Sequence, residues 1–286
     1  MIKAFLIFFI LASSLSCKAE PRPPKGPYPW TVAEGVQQIG FISDPLLKED
    51  SGVVASRSVT NLFWTHTDGA KVPFLFAIDR TGKTLAQFYL NGVHLHDWED
   101  IAADNAGNIY VGDIGNNDAG RNELYVLQVK EPSLDADSRS LTPLQKWTLH
   151  FPAKPFDCES LFVYADYGYV ASKLFDKSKS VLYRFPLAPN TNAIVLEKVC
   201  SLPIVSPVTG ADISVDGKQV AFVAHSGAYV FDLNGDMKSL SKAPFVHIPF
   251  KHQHVEGCTF VPDGLLATSE NREVFLFTYK GFKAAR

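Results

Sequence analysis

Short apolar segments separated by polar turns recur along the chain at intervals of about fifty residues. In each copy an apolar segment is followed by a turn, a second apolar segment, a polar loop and a third apolar segment. The clearest copy starts at Trp98–Ala102, turns at Asp104–Gly107 and continues with Tyr110–Asp113. The other copies begin near Ser51, Cys158, Thr209 and Val255.

Repeats of this length that contain only strands and turns predict an all-β chain folded as a β-propeller, most simply with five four-stranded blades. The last copy ends at Tyr279, after its third strand, so its blade lacks an outer strand. We expect the segment Val32–Ile42 to supply that strand, because an open ring would leave exposed sheet edges. The alternative is six blades, with an additional partial sheet within Leu141–Phe151.

The first residues have the pattern of a secretory signal, in which Lys3 precedes the apolar run Ala4–Ala12. Cleavage after residue 19 would release a soluble exported protein. Alternatively, Leu15-Ser16-Cys17 resembles a lipoprotein box, and Cys17 would then carry a lipid anchor. Both interpretations place the protein outside the cytoplasm, in the periplasm, outside the cell or on the outer membrane.

Residues 20–30 are rich in proline and predict a tether, and residues 31–286 predict one propeller domain. The net charge of -3 and the lack of a basic run argue against a nucleic-acid partner. No second apolar span predicts a transmembrane helix, and we expect a monomer. After export the thiols form either one disulfide and a spare cysteine or three buried thiols, of which we favour the latter; they are Cys158, Cys200 and Cys258.

Alignment of the copies shows polar residues where a strand should be apolar. Glutamates start three first strands, and in each case the residue fourteen positions later is also charged. Because the first strand of every blade faces the central channel, equivalent positions form rings. The first predicted ring is Ser51, Glu99, Glu159, Thr209 and Glu256. The second is His66, Asp113, Lys173, His225 and Glu270.

Three carboxylates in one ring repel each other unless a cation or shared protons intervene. We therefore predict that Glu99, Glu159 and Glu256 bind a divalent metal, with calcium favoured by oxygen ligands. Zinc is the alternative, since histidines two residues apart occur twice; these pairs are His94 with His96 and His252 with His254. The structural alternative is that the glutamates bond to backbone amides of neighbouring blades and lock them together.

The motifs Trp98–Ala102, Tyr110–Asn117 and Ala211–Gly217 resemble those of secreted bacterial β-propeller proteins of largely unassigned function. A more distant similarity is to the phytase-like esterase and gluconolactonase-like propellers. That similarity implies a metal held by channel-facing carboxylates, at positions matched here by Glu99, Glu159, Glu256 and Asp113. Lys173 and two histidines in the ring depart from the gluconolactonase pattern.

The leading hypothesis is an exported propeller that binds a divalent cation and a small polar or anionic ligand at the channel, and that hydrolyses an ester, phosphoester or lactone. His66 or His225 would act as general base and Lys173 would stabilise negative charge. Asp113, Glu270, Ser51 and Thr209 would contact the ligand. The alternatives are a non-enzymatic binding module of the cell envelope and, third, a glycosidase that uses two ring carboxylates.

Overall fold

The computed structural model describes residues 26–68, 73–94, 96–189 and 192–285. The predicted signal, the Cys17 anchor site and most of the predicted tether lie outside these residues. The described chain begins with strands β1 (Trp30–Ala33) and β2 (Val36–Phe41), and it folds into five small, mainly antiparallel sheets arranged in a ring. The predicted five-bladed all-β propeller is confirmed, with four or five strands in each blade.

The strands follow one another through the blades in chain order. Blade 1 contains β3 (Asp50–Ala55), β4 (Leu62–Thr67), β5 (Phe74–Asp79) and β6 (Thr84–Leu90). Blade 2 contains β7 (Trp98–Ala103), β8 (Asn108–Asp113), β9 (Glu123–Lys130) and β11 (Gln145–His150). Two short strands, β10 (Ser140–Leu141) and β15 (Ile194–Val195), pair in parallel with the outer strands of blades 1 and 2.

The remaining blades follow the same plan. Blade 3 contains β12 (Cys158–Tyr164), β13 (Tyr167–Ser172), β14 (Val181–Pro186) and β16 (Glu197–Ser201). Blade 4 contains β17 (Val208–Ile213), β18 (Gln219–Ala224), β19 (Gly227–Asp232) and β20 (Phe245–Pro249). Blade 5 contains β21 (Val255–Val261), β22 (Gly264–Ser269) and β23 (Glu273–Thr278), followed by helix α1 (Tyr279–Ala284).

The ring is closed by the N-terminal segment. Strand β2 pairs with β23, with Val36 opposite Phe277, and β1 lies outside β2. The predicted closure by Val32–Ile42 is therefore confirmed. The six-bladed alternative is wrong, because its candidate segment supplies β10 and β11, and β11 is the fourth strand of blade 2.

Apolar side chains fill the spaces between neighbouring blades. Blades 3 and 4, for example, bury Phe162, Phe222 and Phe231 against one another. Each such side chain contributes about 1.5–3 kcal/mol of stability relative to an exposed one. The three described cysteines are buried and free, as the favoured prediction required.

The two helical segments of the described chain are short. Helix α1 has six residues, and a 3₁₀ turn at Met237–Ser241 has five. Neither is long enough to cross a membrane, which takes about twenty residues.

Every innermost strand carries a β-bulge near its first residue. In blade 2, Trp98 pairs with Asp113 and Asp100 pairs with Gly112, so Glu99 has no partner on β8. The same irregularity leaves Glu256 unpaired in blade 5, Thr209 in blade 4 and Gly52 in blade 1. A bulge re-aims side chains where the ladder is interrupted. The five bulges lie at one end of the channel, which we call the mouth.

Candidate functional site

Glu159 and Glu256 form a closely coupled pair at the mouth. Their side chains come from the bulges of blades 3 and 5, and they are 3% and 6% exposed. The two carboxyl groups lie within hydrogen-bonding reach of each other. Burial raises the pKa of Glu159 to about 7, and burial together with Glu159 raises the pKa of Glu256 well above its usual value. One proton is therefore retained by the pair near neutral pH.

Lys173 is the cation that balances this pair. It directly follows β13, and its ammonium donates a hydrogen bond to Oε1 of Glu159. Burial opposes its charge, but Glu159 and Glu256 outweigh burial and raise the pKa of Lys173. Apart from the proton that the two carboxyl groups retain, no donor among the described residues reaches Oε2 of either glutamate. One proton satisfies only part of the hydrogen-bonding capacity of these two buried oxygens, so they mark a position where a ligand would be stabilised.

A second acidic group lies beside the first and contains Glu99. Asp68 follows β4, Asp97 precedes β7, and one carboxylate oxygen from each, with one from Glu99, lies within 4.8 Å of the others. Burial, followed by the charges of Glu159, Asp68 and Asp97, raises the pKa of Glu99 well above its usual value. We call these three residues the acidic triad.

The acidic triad depends on a glycine. A Cβ atom at Gly115 would lie 2.3 Å from Oδ2 of Asp97 and 2.3 Å from Oε1 of Glu99. Glycine therefore allows the backbone after β8 to approach both carboxylates. Oxygen ligands of calcium lie about 2.3–2.6 Å from the ion, so two of them are at most about 5 Å apart. The separation in the acidic triad satisfies that condition.

The three predicted metal ligands, Glu99, Glu159 and Glu256, do not converge on a single metal site. Glu99 belongs to the acidic triad, whereas Glu159 and Glu256 lie with Lys173 outside it. The acidic triad is the metal-compatible group found among the described residues, and it contains no histidine. Three of the four histidines proposed for zinc instead contact separate carboxylates, with His96 on Asp113, His252 on Glu273 and His254 on Glu270.

His225 and Glu270 lie at the rim of the mouth. Burial, followed by the positive charge of Lys173, lowers the pKa of His225, so its imidazole is neutral near pH 7. Glu270 accepts a hydrogen bond of 2.7 Å from Nδ1 of His254. The ring of Phe175, which is 67% exposed, lies 5.7 Å from the ring of His225 and 5.7 Å from the ammonium of Lys173. An exposed aromatic ring beside these polar groups provides an apolar contact for a ligand.

His66 is not in contact with the solvent at the mouth. It is fully buried, and its ring packs edge-on against Trp98 at 5.6 Å. Burial lowers the pKa of His66 to about 4, although backbone groups of Thr67 and Asp100 oppose this shift. Neither ring nitrogen makes a hydrogen bond of normal geometry to a described residue. In the strand register His66 lies opposite Ser51. Relative to the first strand of its blade, His66 stands one position earlier than Lys173 stands relative to β12, so the two residues are not equivalent.

Ser51 and Thr209 join neighbouring blades. The hydroxyl of Ser51 donates to the backbone oxygen of Glu99 at 2.7 Å, and that of Thr209 donates to the backbone oxygen of Val255 at 2.6 Å. Register makes Gly52, rather than Ser51, the blade 1 equivalent of Glu99. The positive φ of Gly52, 62°, suits a glycine at this bulge.

Asp113 holds the loop that carries Asp97. Its carboxylate is 2.8 Å from Nη2 of Arg121, and it accepts a bond of 3.1 Å from the amide of Asp97. Asp113 is 2% exposed, so its place is behind the acidic triad rather than in contact with solvent at the mouth.

Two aspartates of the inner strands, Asp100 and Asp212, were missed as important residues. Oδ2 of Asp100 accepts from the amides of Leu161 (2.7 Å) and Ala211 (3.1 Å), which belong to blades 3 and 4. Asp212 accepts from the hydroxyl of Thr259 and the amide of Phe260 in blade 5. These residues make the blade-to-blade bonds that the structural alternative assigned to the glutamates. Their signal was an aspartate within an apolar strand.

Comparisons with known proteins find only distant structural similarity. No protein-family model matches the chain, and no curated protein matches it in sequence. Among solved structures, a gluconolactonase from Xanthomonas campestris is similar with a TM-score of 0.48 and 12% identity, over 84% of this chain and 88% of that one. A PQQ-bound aldose sugar dehydrogenase from Streptomyces coelicolor gives 0.49 and 9%, over 84% and 96%.

Proposed function

We propose that the mouth binds a divalent cation in the acidic triad and, next to it, a small polar ester or lactone, which it hydrolyses. The observation that carries this proposal is the convergence of Asp68, Asp97 and Glu99 to within 4.8 Å beside a second, Lys173-balanced carboxyl pair. Clustered, partly buried carboxylates repel each other unless a cation is present. Since all three ligands are oxygens, calcium or magnesium suits them better than zinc.

The bound cation would polarise a substrate carbonyl and lower the pKa of a coordinated water. The protein side chains supply the proton transfers. His225 is neutral near pH 7 and can accept a proton from water, while Glu256 retains a proton that it can donate to the departing alkoxide. Water then adds to the carbonyl carbon, the ester C–O bond breaks, and the proton on His225 returns to Glu256. The charge of Lys173, held in place by Glu159, stabilises the negative charge on the carbonyl oxygen.

The pairing of the cations at the mouth favours an ester or lactone over a phosphoester. Lys173 is paired with Glu159, and Arg121 is paired with Asp113. A phosphate dianion is usually held by several cationic donors, including bidentate arginines. The exposed Phe175 ring adds an apolar contact on one side of the substrate.

Metal binding is tested by calorimetric titration of chelator-treated protein with calcium, together with thermal unfolding. Calcium at 100 times its Kd should stabilise the fold by about 2.7 kcal/mol. Asp97→Asn should abolish that gain, because it removes one ligand charge from the acidic triad. Asp137→Asn, at an exposed carboxylate in another loop, is the matched control and should bind calcium like wild type. Equal calcium binding by all three proteins would contradict the assignment.

Hydrolysis is tested with a panel of chromogenic esters and lactones in the presence of calcium. Lys173→Ala should lower kcat by roughly 10²–10³, the loss typical of a missing oxyanion donor. Phe175→Ala should mainly raise KM. If wild type is no faster than Lys173→Ala while calcium still binds, the mouth is a binding site without catalysis, and the enzymatic part of the proposal is wrong.

We also propose that the leader exports the protein, so that the acidic triad meets the calcium concentrations found outside the cytoplasm. The intact mass of the mature N-terminus tests this. A chain starting at Glu20 indicates soluble export, a lipid-modified Cys17 indicates an anchor, and a retained Met1 contradicts export.

A further inference from the structure

The end of the channel opposite the mouth contains a cavity of about 360 Å³, within the range of small-molecule sites. It lies among the turns that join first and second strands, which we call the hairpin end. Apolar side chains make up much of its wall, including Phe63, Phe260 and Pro262. Of the described residues that line it, only Arg57 is charged.

Arg57 has hydrogen-bonding capacity that its neighbours do not use. Its side chain is 9% exposed, and Nη2 donates to the backbone oxygen of Ala103 at 3.2 Å. Asp212 is 3.9 Å away, too far for a hydrogen bond, and its other oxygen already accepts from Thr259 and Phe260. The buried Nε of Arg57 has no partner within the described part of the chain. A guanidinium offers five N–H donors in a planar fork that matches a carboxylate.

The rim of this cavity carries exposed apolar side chains. Val59 and Val215 both line it, and they are 45% and 61% exposed. A hydrogen bond of 3.0 Å from the side chain of Asn105 to the backbone oxygen of Val215 crosses this end of the channel. An adjoining cavity of about 410 Å³ also contacts Arg57, but Asp104 and Asp216 line it and would repel an anion.

From a single buried cation in an otherwise neutral, largely apolar cavity, we infer that the hairpin end is a second binding site, specific for a small organic carboxylate with an apolar body. The carboxylate pairs with the guanidinium of Arg57, and the apolar body lies against Phe63 and Phe260. A neutral molecule would leave the guanidinium donors unused, and a small inorganic anion would leave the apolar wall uncovered. This site uses none of the residues of the mouth.

Hexanoate is a suitable probe, with hexan-1-ol and acetate as controls for its charge and its chain. Binding is measured by NMR titration of chelator-treated protein. Hexanoate should bind at least about tenfold more tightly than either control, since each control lacks one of the two contacts. Arg57→Gln should weaken hexanoate binding about tenfold through loss of the charge-assisted bonds. Calcium should leave the affinity unchanged.

A second variant, at the rim of the cavity, tests the site even if Arg57→Gln fails to fold. Val59→Glu places a negative charge beside the cavity at an exposed position and should also weaken hexanoate binding. Val195→Glu, at a 59% exposed valine on the outer edge of blade 2, is the matched control and should bind like wild type. The inference is overturned if hexanol binds as tightly as hexanoate, if neither Arg57→Gln nor Val59→Glu weakens binding, or if wild type shows no binding at millimolar hexanoate.

Discussion

Carboxyl groups on the same inner strands behave differently at the mouth and in the interior of the ring. Glu99 and Asp100 are adjacent residues, yet Asp100 accepts three backbone hydrogen bonds from three blades while Glu99 lies in the acidic triad. At the mouth, Glu159 and Glu256 each keep one oxygen that no donor among the described residues reaches, apart from the proton that the pair retains. The two kinds of carboxylate therefore have different roles. A carboxylate that is satisfied by backbone amides stabilises the fold, whereas an unsatisfied buried carboxylate is available to a ligand.

Asp100→Asn tests the structural role of the interior carboxylates, and we expect it to have the largest effect on stability. The substitution replaces one acceptor oxygen by an amide group that faces backbone N–H donors. Loss of a buried hydrogen-bond network of this kind costs about 3 kcal/mol. The free energy of unfolding, measured by urea denaturation without metal, should fall by that amount.

Glu99→Gln is the matched control at the adjacent residue. Because Glu99 has carboxylate neighbours rather than backbone donors, removal of its charge should change the metal-free stability by less than about 1 kcal/mol. If both variants lose the same free energy, the distinction between mouth and interior fails.

The sequence predicted the blades and their closure because period and turn chemistry repeat in every copy. The sequence could not distinguish the role of Glu99 from that of Asp100. Strand alternation assigns adjacent residues to opposite faces, but a bulge breaks that alternation.

Asp68 lies in a loop after β4, outside the repeated positions. Asp97 aligns with Asp50 and Asp157 of blades 1 and 3, but the copies were aligned from the following residue, so this position was passed over. The hairpins of blades 1 and 2 have the same register, so Gly52 stands fourteen residues before His66 as Glu99 stands fourteen before Asp113. Ser51 was aligned with Glu99 because a polar residue was expected at that position.

The pH dependence of stability tests the Glu159 and Glu256 pair at the mouth. Burial raises the pKa of Glu159 to about 7, so between its unfolded value near 4.5 and about 7 the folded state holds a proton that the unfolded state has lost. Its contribution to stability is therefore present below about pH 4.5 and is lost as the pH rises to about 7. One such proton corresponds to a slope of at most about 1.4 kcal/mol per pH unit.

Glu159→Gln should remove this slope, because Lys173 can then pair with the single remaining carboxylate of Glu256. Unfolding measured between pH 5 and 8 with chelator present should show the variant gaining stability relative to wild type as the pH rises. Asp137→Asn, at an exposed position, should keep the wild-type slope. A stability difference between Glu159→Gln and wild type that does not change with pH would show that the pair does not retain its proton.

Gly115→Ala tests the mouth with the smallest change, a single methyl group. The new Cβ would lie 2.3 Å from oxygens of Asp97 and Glu99, so at least one carboxylate must move out of the acidic triad. Calcium affinity should fall about tenfold, or roughly 1.4 kcal/mol. Gly120→Ala, in the same loop but with no atom within 4 Å of the added Cβ, is the matched control and should bind calcium like wild type. Unchanged affinity in Gly115→Ala would mean that calcium does not depend on the spacing of these carboxylates, and the unsatisfied oxygens of Glu159 and Glu256 would then be the place to seek it.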